Sequence, residues 1–187
     1  MKELGRTLLV FVVLLVLTGV VYPFAMTELA YWFFPKQAEG SLVMRNDKVV
    51  GSSMIGQKFV TSRYFHSRPS ANDYDATNSG GSNLGPDSKK LITDVSDRAK
   101  FLRHENGLSP TVPIPADLVL ASASGLDPHI SLEAALVQAR RIAQARHVSE
   151  DEVKRLIERM TEGRGSIGPG RVNVLEMNLA LDSLKDR

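Results

Sequence analysis

The stretch TLLVFVVLLVLTGVVYPFAMT, Thr7 to Thr27, carries no charged side chain; Arg6 closes it on one side and Glu28 on the other. A helix rises 1.5 Å per residue, so about 20 residues cross the roughly 30 Å hydrocarbon layer of a bilayer. In lipid every backbone N–H and C=O must be bonded within the segment, which a helix achieves and a lone strand does not. A cleaved signal peptide is the competing reading. Its apolar region runs about 7–15 residues and ends at small residues. Here the run is longer, and no Ala-x-Ala pattern follows it. Tyr31, Trp32, Phe33 and Phe34 follow instead, a set suited to the headgroup level of a membrane. The stretch therefore predicts a retained transmembrane helix. Lys2 and Arg6 flank its short N-terminal side, which the positive-inside rule places in the cytoplasm. The expected organisation is a cytoplasmic N-terminus over residues 1–6, a span over 7–27, an interfacial connector over 28–40 and one extracytoplasmic domain over 41–187.

Composition narrows what that domain can do. The chain has 187 residues, so the part beyond the anchor is the size of one ordinary domain. The formal net charge is +2, with Lys and Arg interleaved among Asp and Glu, and no basic stripe with interspersed aromatics marks a nucleic-acid partner. Absence of cysteine excludes disulfides, thiolate zinc sites and a Cys nucleophile. His66, His104, His129 and His147 show no metal-ligand spacing, so no metal site is expected.

Outward from the anchor, Pro23 is placed to kink the helix near its outer end, and Pro35 to Gly40 forms a short connector. Ser41 to Arg45 and Lys48 to Ile55 flank Asn46-Asp47, a pair that tolerates positive φ, and predict a β-hairpin. Phe59 to Phe65 is expected to extend the sheet. Ser67 to Ser88 is a long polar loop rich in Gly, Ser, Asn and Asp. Leu91, Val95, Ala99 and Leu102 recur at helical spacing and predict an amphipathic helix over Asp87 to Glu105. Prolines over 111–115 end it, and a short apolar piece, Ala116 to Ala121, leads into a second polar loop, Ser122 to Ser131. Ser131 is the expected N-cap of a helix over Leu132 to Arg146 with Ala135, Val137, Ile142 and Ala145 inward. Gln138, Arg140, Arg141, Gln144 and Arg146 read as its solvated face. Ser149 and Glu152 form a capping box opening a helix over Glu150 to Glu162, with Val153, Leu156, Ile157 and Met160 inward. Gly163 to Gly170 is a glycine-rich break. Val172 to Leu184 reads as helix capped by Asn173, although Val172 and Val174 also suit a strand. The fold class is α+β: a small sheet with several helices packed on it, behind one transmembrane helix.

Three places invite a chemical reading. Ser79-Gly80-Gly81-Ser82-Asn83-Leu84-Gly85-Pro86 has the glycines that let backbone approach a phosphate, yet matches neither the Walker nor the dinucleotide spacing. A serine nucleophile in such a loop is the second reading; a structured loop whose Asn and Ser side chains bond their own turn is the third, and the favoured one. Gly125 to His129 puts Asp127 and His129 close to Ser131, but triads assemble from separated segments, so a serine hydrolase using Ser79 or Ser82 with His129 is only the alternative. Tyr64, His66 and Arg68 mix aromatic and cationic character of the kind favoured at interfaces. The candidates for partner contact or loop shaping are therefore Tyr64, His66, Arg68, Ser79, Gly80, Gly81, Ser82, Asn83, Gly85, Gly125, Asp127 and His129, with no catalytic residue among them.

Five segments in order, GSSMIGQKF (Gly51 to Phe59), RYFHSRPSA (Arg63 to Ala71), SGGSNLGP (Ser79 to Pro86), PADLVLASASGLDPHIS (Pro115 to Ser131) and VNVLEMNLALD (Val172 to Asp182), resemble the C subunit of the bacterial Kdp-type potassium-transporting ATPase. The resemblance covers nearly the whole chain. It departs at Ser67 and Ala123, where the family favours Gly, and at Leu132, where Pro is usual. It implies a bacterial inner-membrane complex with a channel-like potassium-translocating subunit, a P-type ATPase subunit and a very small membrane subunit. It further implies an accessory role, described as a catalytic chaperone that raises the pump subunit's affinity for ATP, with potassium handled by the complex. The chain carries no Asp-Lys-Thr-Gly-Thr phosphorylation motif of its own. An external domain would not meet cytosolic ATP, so nucleotide contact is an implication of the resemblance alone.

Overall fold

The computed structural model describes residues 2–163 and 169–184, so most of the glycine-rich break read at Gly163 to Gly170 lies outside the described residues. The chain divides into two compact units, Met1–Ser52 and Ser53–Arg187. Its architecture is the mixed one expected: an apolar N-terminal helix followed by helices with small sheets.

The first unit is built on a continuous helix, Lys2–Phe33, the one helix among the described residues long and apolar enough to cross a membrane. It comprises α1 (Lys2–Val16), a π-turn at Leu17–Val21 and α2 (Tyr22–Phe33), and none of its residues is buried. Pro23 sits one residue into α2. The irregularity expected from proline thus takes the form of a widened turn on its N-terminal side. A one-turn helix, α3 (Pro35–Ala38), follows. β1 (Leu42–Arg45) and β2 (Lys48–Ser52) then pair antiparallel through Asn46 and Asp47, both at positive φ (50° and 60°). Two successive left-handed residues give the hairpin turn whose twist matches its strands. The register slips between Val43 and Met44, and β2 stops at Ser52, short of the predicted Ile55.

The second unit packs α4 (Lys89–Asn106), α5 (Leu132–Arg146), α6 (Glu150–Met160) and α7 (Val174–Ser183) around one core with a short antiparallel ribbon, β3 (His129–Ser131) against β4 (Arg171–Asn173). Three of the caps, Ser131, Ser149 and Asn173, are those the sequence predicts; α4 instead starts two residues after the predicted Asp87, with Ser88 as its cap. Ser88, Ser131, Ser149 and Asn173 each accept a backbone N–H of the first turn with the side chain, satisfying donors a helix leaves open. Phe65, Leu102, Ile130, Ile142, Ile157, Val172, Met177 and Leu181 meet in the core. Val172 to Leu184 serves both readings in turn, a three-residue strand and then a helix.

Two expectations fail, and for one reason. Phe59 to Phe65 forms no strand, and three members of the supposed solvated face of α5 are in the core: Gln138 is fully buried, with Arg141 and Arg146 at 5% and 3% exposure. Arg140 and Gln144 do face solvent. The segment before Ser67 turns at residues 61–64, with Tyr64 N–H on Thr61 O (3.1 Å), and is then held by side chains instead of a neighbouring strand. Phe65 N–H donates to Asn178 Oδ1 (2.8 Å), and Asn178 Nδ2 returns a bond to Phe65 O (3.0 Å). His66 N–H donates to Gln138 Oε1 (2.8 Å), and Gln138 Nε2 reaches His66 O (3.3 Å). A carboxamide has one acceptor and two donors, so each side chain imitates the peptide of an adjacent strand. Arg141 Nη1 then caps Ser62 O (2.6 Å) and Tyr64 O (3.1 Å), and Arg146 Nε caps Arg63 O (2.8 Å).

Candidate functional site

The candidate residues fall into two groups. The first surrounds the segment just described. Tyr64 is half-buried, with its hydroxyl donating to Asp182 Oδ2 (3.1 Å), its ring 5.7 Å from that of Phe59, and the Arg146 guanidinium 5.0 Å from its centroid. His66 stands with Nδ1 3.4 Å from Glu105 Oε2 and Nε2 3.3 Å from Thr61 O. Arg141 lies behind it, its Nε on Asn106 Oδ1 (3.0 Å) and its Nη2 on Gln138 Oε1 (2.8 Å). Burial, then the Arg141 charge, lower the His66 pKa, and Glu105 and the Thr61 carbonyl only partly oppose them. Burial also lowers that of Arg141.

A pH effect follows. Unfolded, His66 titrates at the ordinary value of about 6.5; folded, it titrates lower. Between those values the unfolded chain binds the extra proton, so stability rises with pH there. The stabilisation is complete above about pH 6.5 and is lost as pH falls through that window. Urea unfolding midpoints measured from pH 7.5 down to 5 should decline more steeply for the native protein than for His66→Gln. Parallel declines would show that His66 carries none of the effect.

The second group is a clamp between the two polar loops. Arg68 Nη1 bonds Asp127 Oδ2 (2.9 Å), and Asp127 Oδ1 accepts His129 N–H (2.9 Å). Ser124 O receives both Gly80 N–H (2.8 Å) and Ser79 Oγ (3.0 Å). Gly56 N–H donates to Leu126 O (2.7 Å), and Ser122 N–H to Pro69 O (3.2 Å). Gly125, at φ 68°, is where the loops press closest: a Cβ there would overlap Asn72 Oδ1 and stand 2.7 Å from Gly80 O. At Gly81 a Cβ would stand 3.0 Å from Ala123 O. Tyr74, half-buried beside this clamp, donates to Arg68 O (2.6 Å), and burial followed by the Asp73 charge pushes its hydroxyl up to about 12. It stays a donor at any physiological pH.

The remaining candidates disperse. Ser82 is exposed and lines a cavity of about 350 Å³ with Lys90, Asp94 and Arg98. Asn83, at φ 52°, and Gly85 shape the exposed turn that follows. His129 instead lines a cavity of about 380 Å³ with Arg68, Asp117 and Asp127, its ring nitrogens 3.8 Å from Asp127 and 3.9 Å from Glu162. Among the described residues no hydrogen bond joins His129 to Ser79 or Ser82, so the alternative nucleophile–base pair is not assembled. No group of three His, Asp or Glu side chains clusters as metal ligands would, again among the described residues.

Sequence reasoning missed Gln138, Arg141, Arg146, Asn178 and Asn106, the polar groups that fix the Ser62 to His66 segment. Their signal was positional: Gln138 and Arg146 fall on the same 3.6-residue stripe as Ala135 and Ile142. Of the departures from the family pattern, Ser67 uses its hydroxyl on Gln57 O (2.9 Å), and Leu132 donates its N–H to Gly170 O (3.2 Å), a bond proline would lack.

The site thus consists of a Ser62 to His66 segment held by buried polar side chains and two loops clamped to each other, and comparison with known proteins agrees with the resemblance in the sequence. The family model described as "K+-transporting ATPase, c chain" (KdpC) matches residues 4–183. The chain is 48% identical to a protein of Rhodopseudomonas palustris (strain BisB5) over 98% of each chain, and 50% identical to one of Methylobacterium nodulans over 98% of each. It is 47% identical to one of Mycobacterium tuberculosis (strain H37Ra), over 98% of this chain and 99% of that one. Each of these relatives is named a potassium-transporting ATPase KdpC subunit. With the match extending over nearly its whole length, the chain belongs to the KdpC family.

Proposed function

We propose that this protein is an accessory subunit of a potassium-transporting ATPase, without a reaction of its own. The observation that carries the reading is the pairing of its two units. A largely apolar helix with no buried residue, Lys2–Phe33, requires lipid or other transmembrane helices as its surroundings. The unit beyond it spends its buried polar side chains on holding its own loops. The anchor packs beside helices of the ion-translocating or ATP-hydrolysing subunits, with the very small membrane subunit as a further neighbour. With Lys2 and Arg6 on the cytoplasmic side, the Ser53–Arg187 unit stands outside the membrane. Its Ser79 to Gly85 and Gly125 to His129 loops, with Arg68, offer partners a fixed polar surface. Any effect on the pump subunit's ATP affinity is then transmitted through assembly, and ATP titrated onto the isolated Ser53–Arg187 unit should produce no saturable heat.

The decisive experiment replaces residues 1–33 with a cleavable export signal. The released domain should be depleted from the purified complex by at least about tenfold, since a span contributes far more than any one surface contact. Unchanged stoichiometry would refute anchoring through this helix.

A further inference from the structure

Midway along the apolar run the helix changes its bonding pattern. In the π-turn Leu17–Val21 the Tyr22 N–H donates to Leu17 O, five residues back, where an α-helix would deliver it to Thr18 O. The next donor along the chain, residue 23, is a proline and has no N–H. Thr18 O therefore loses both of its customary donors, at i+4 and at i+5. The Thr18 hydroxyl supplies no substitute, because it donates to Leu14 O (2.8 Å). Beside it stands Gly19, which has no side chain to cover the backbone, and nothing lies within 4 Å of where a Cβ would be.

Such a carbonyl is harmless in water and costly in hydrocarbon. Thr18 lies within one residue of the middle of Thr7 to Thr27, so the open acceptor falls near the bilayer centre, where lipid offers no donor. An unsatisfied backbone group there is strongly unfavourable. The usual remedy is a polar side chain of an adjacent helix, admitted closely by a small residue.

We infer that the Thr18–Gly19 face of the anchor is a contact surface for a partner transmembrane helix that presents a hydrogen-bond donor, a Ser, Thr, Asn, Gln or Lys side chain, to Thr18 O. The inference rests on the anchoring role proposed above and adds to it a face, an atom and a partner chemistry. Pro23 is then what creates the acceptor, and Gly19 is what lets the donor reach it.

The test uses the complete complex, solubilised in mild detergent and purified through a tag on another subunit, with each variant first shown to be membrane-inserted by its resistance to carbonate extraction. Gly19→Leu fills the approach. Pro23→Ala restores an N–H and returns the helix to ordinary i→i−4 bonding. Val21→Phe adds bulk on roughly the opposite side of the helix from Gly19 and serves as control. The first two variants should each reduce retention of this subunit by about three- to tenfold, the effect expected of one interhelical hydrogen bond in a membrane. Val21→Phe should be retained as the native protein is. Retention of Gly19→Leu at the native level overturns the proposal. Loss in Gly19→Leu with native retention of Pro23→Ala also overturns it, since the contact would then be steric only. Equal loss in all three variants overturns it too, because no face would be distinguished. In each of these cases the anchoring reading stands or falls separately, on the replacement of residues 1–33.

Discussion

Arg146→Ala should cost the Ser53–Arg187 unit about 3–5 kcal/mol, the penalty for removing one partner from a buried charged network. The guanidinium is 3% exposed and bonds in three directions: Arg63 O (2.8 Å), Leu181 O (3.1 Å) and Asp182 Oδ1 (2.8 Å). It also covers the Tyr64 ring at 5.0 Å. Alanine would take a donor from the buried Leu181 O and the part-buried Arg63 O, remove the Arg146 charge from Asp182 Oδ1, and open a void under Tyr64. The C-terminal end of α7 and the segment before Ser67 would loosen together, because this side chain bonds both. Arg146→Lys should fall between the two. It keeps a charge but loses the planar fork that reaches three acceptors at once. Urea denaturation followed by circular dichroism measures both, and a midpoint for Arg146→Ala within error of the native value would refute the assignment.

Gly125→Ala should act on the loops rather than on the core. The residue is buried at φ 68°, where a Cβ is strained whatever space surrounds it, and here the space is filled by Asn72 Oδ1 and Gly80 O. Backbone strain and steric conflict together are expected to cost about 2–4 kcal/mol. The strain is relieved by separating the 70–85 loop from the 122–129 loop. Limited proteolysis should then cut within residues 72–82 at least about tenfold faster than in the native protein. Gly80→Ala provides the control, since a Cβ there meets nothing within 4 Å. Equal cleavage of all three proteins would show that the loops are not clamped at Gly125. If these loops are the partner-facing surface proposed above, Gly125→Ala should also weaken assembly while leaving the α5 and α6 helices intact.

The clamp and the amide-bracketed segment explain why a polar, loop-rich chain can hold one arrangement. Backbone groups in long loops need partners, and water serves only those at the surface. Here Gln138, Asn178, Arg141 and Arg146 supply the buried partners from helices. That places rigid helices behind the Ser62 to His66 segment, while Ser79, Ser82 and Asn83 of the clamped loop stay exposed.

Sequence alone determined whatever depends on neighbours along the chain. The charge-free run Thr7 to Thr27 required a helix, Asn46-Asp47 required a tight hairpin, and Ser131, Ser149 and Asn173 announced their helices, because caps and turns are satisfied within four residues. It also carried the family, through five segments in order. What only the tertiary structure decided is the fate of the polar residues on α5. Gln138, Arg141 and Arg146 look solvated by residue type, and the period that would have placed Gln138 and Arg146 in the core was overruled by their polarity. Nothing local reveals that a strandless segment more than 70 residues earlier, bonded to Gln138 at His66, would need their hydrogen bonds. Burial of a polar group depends on the partner it meets in space, and that partner is not adjacent in the chain.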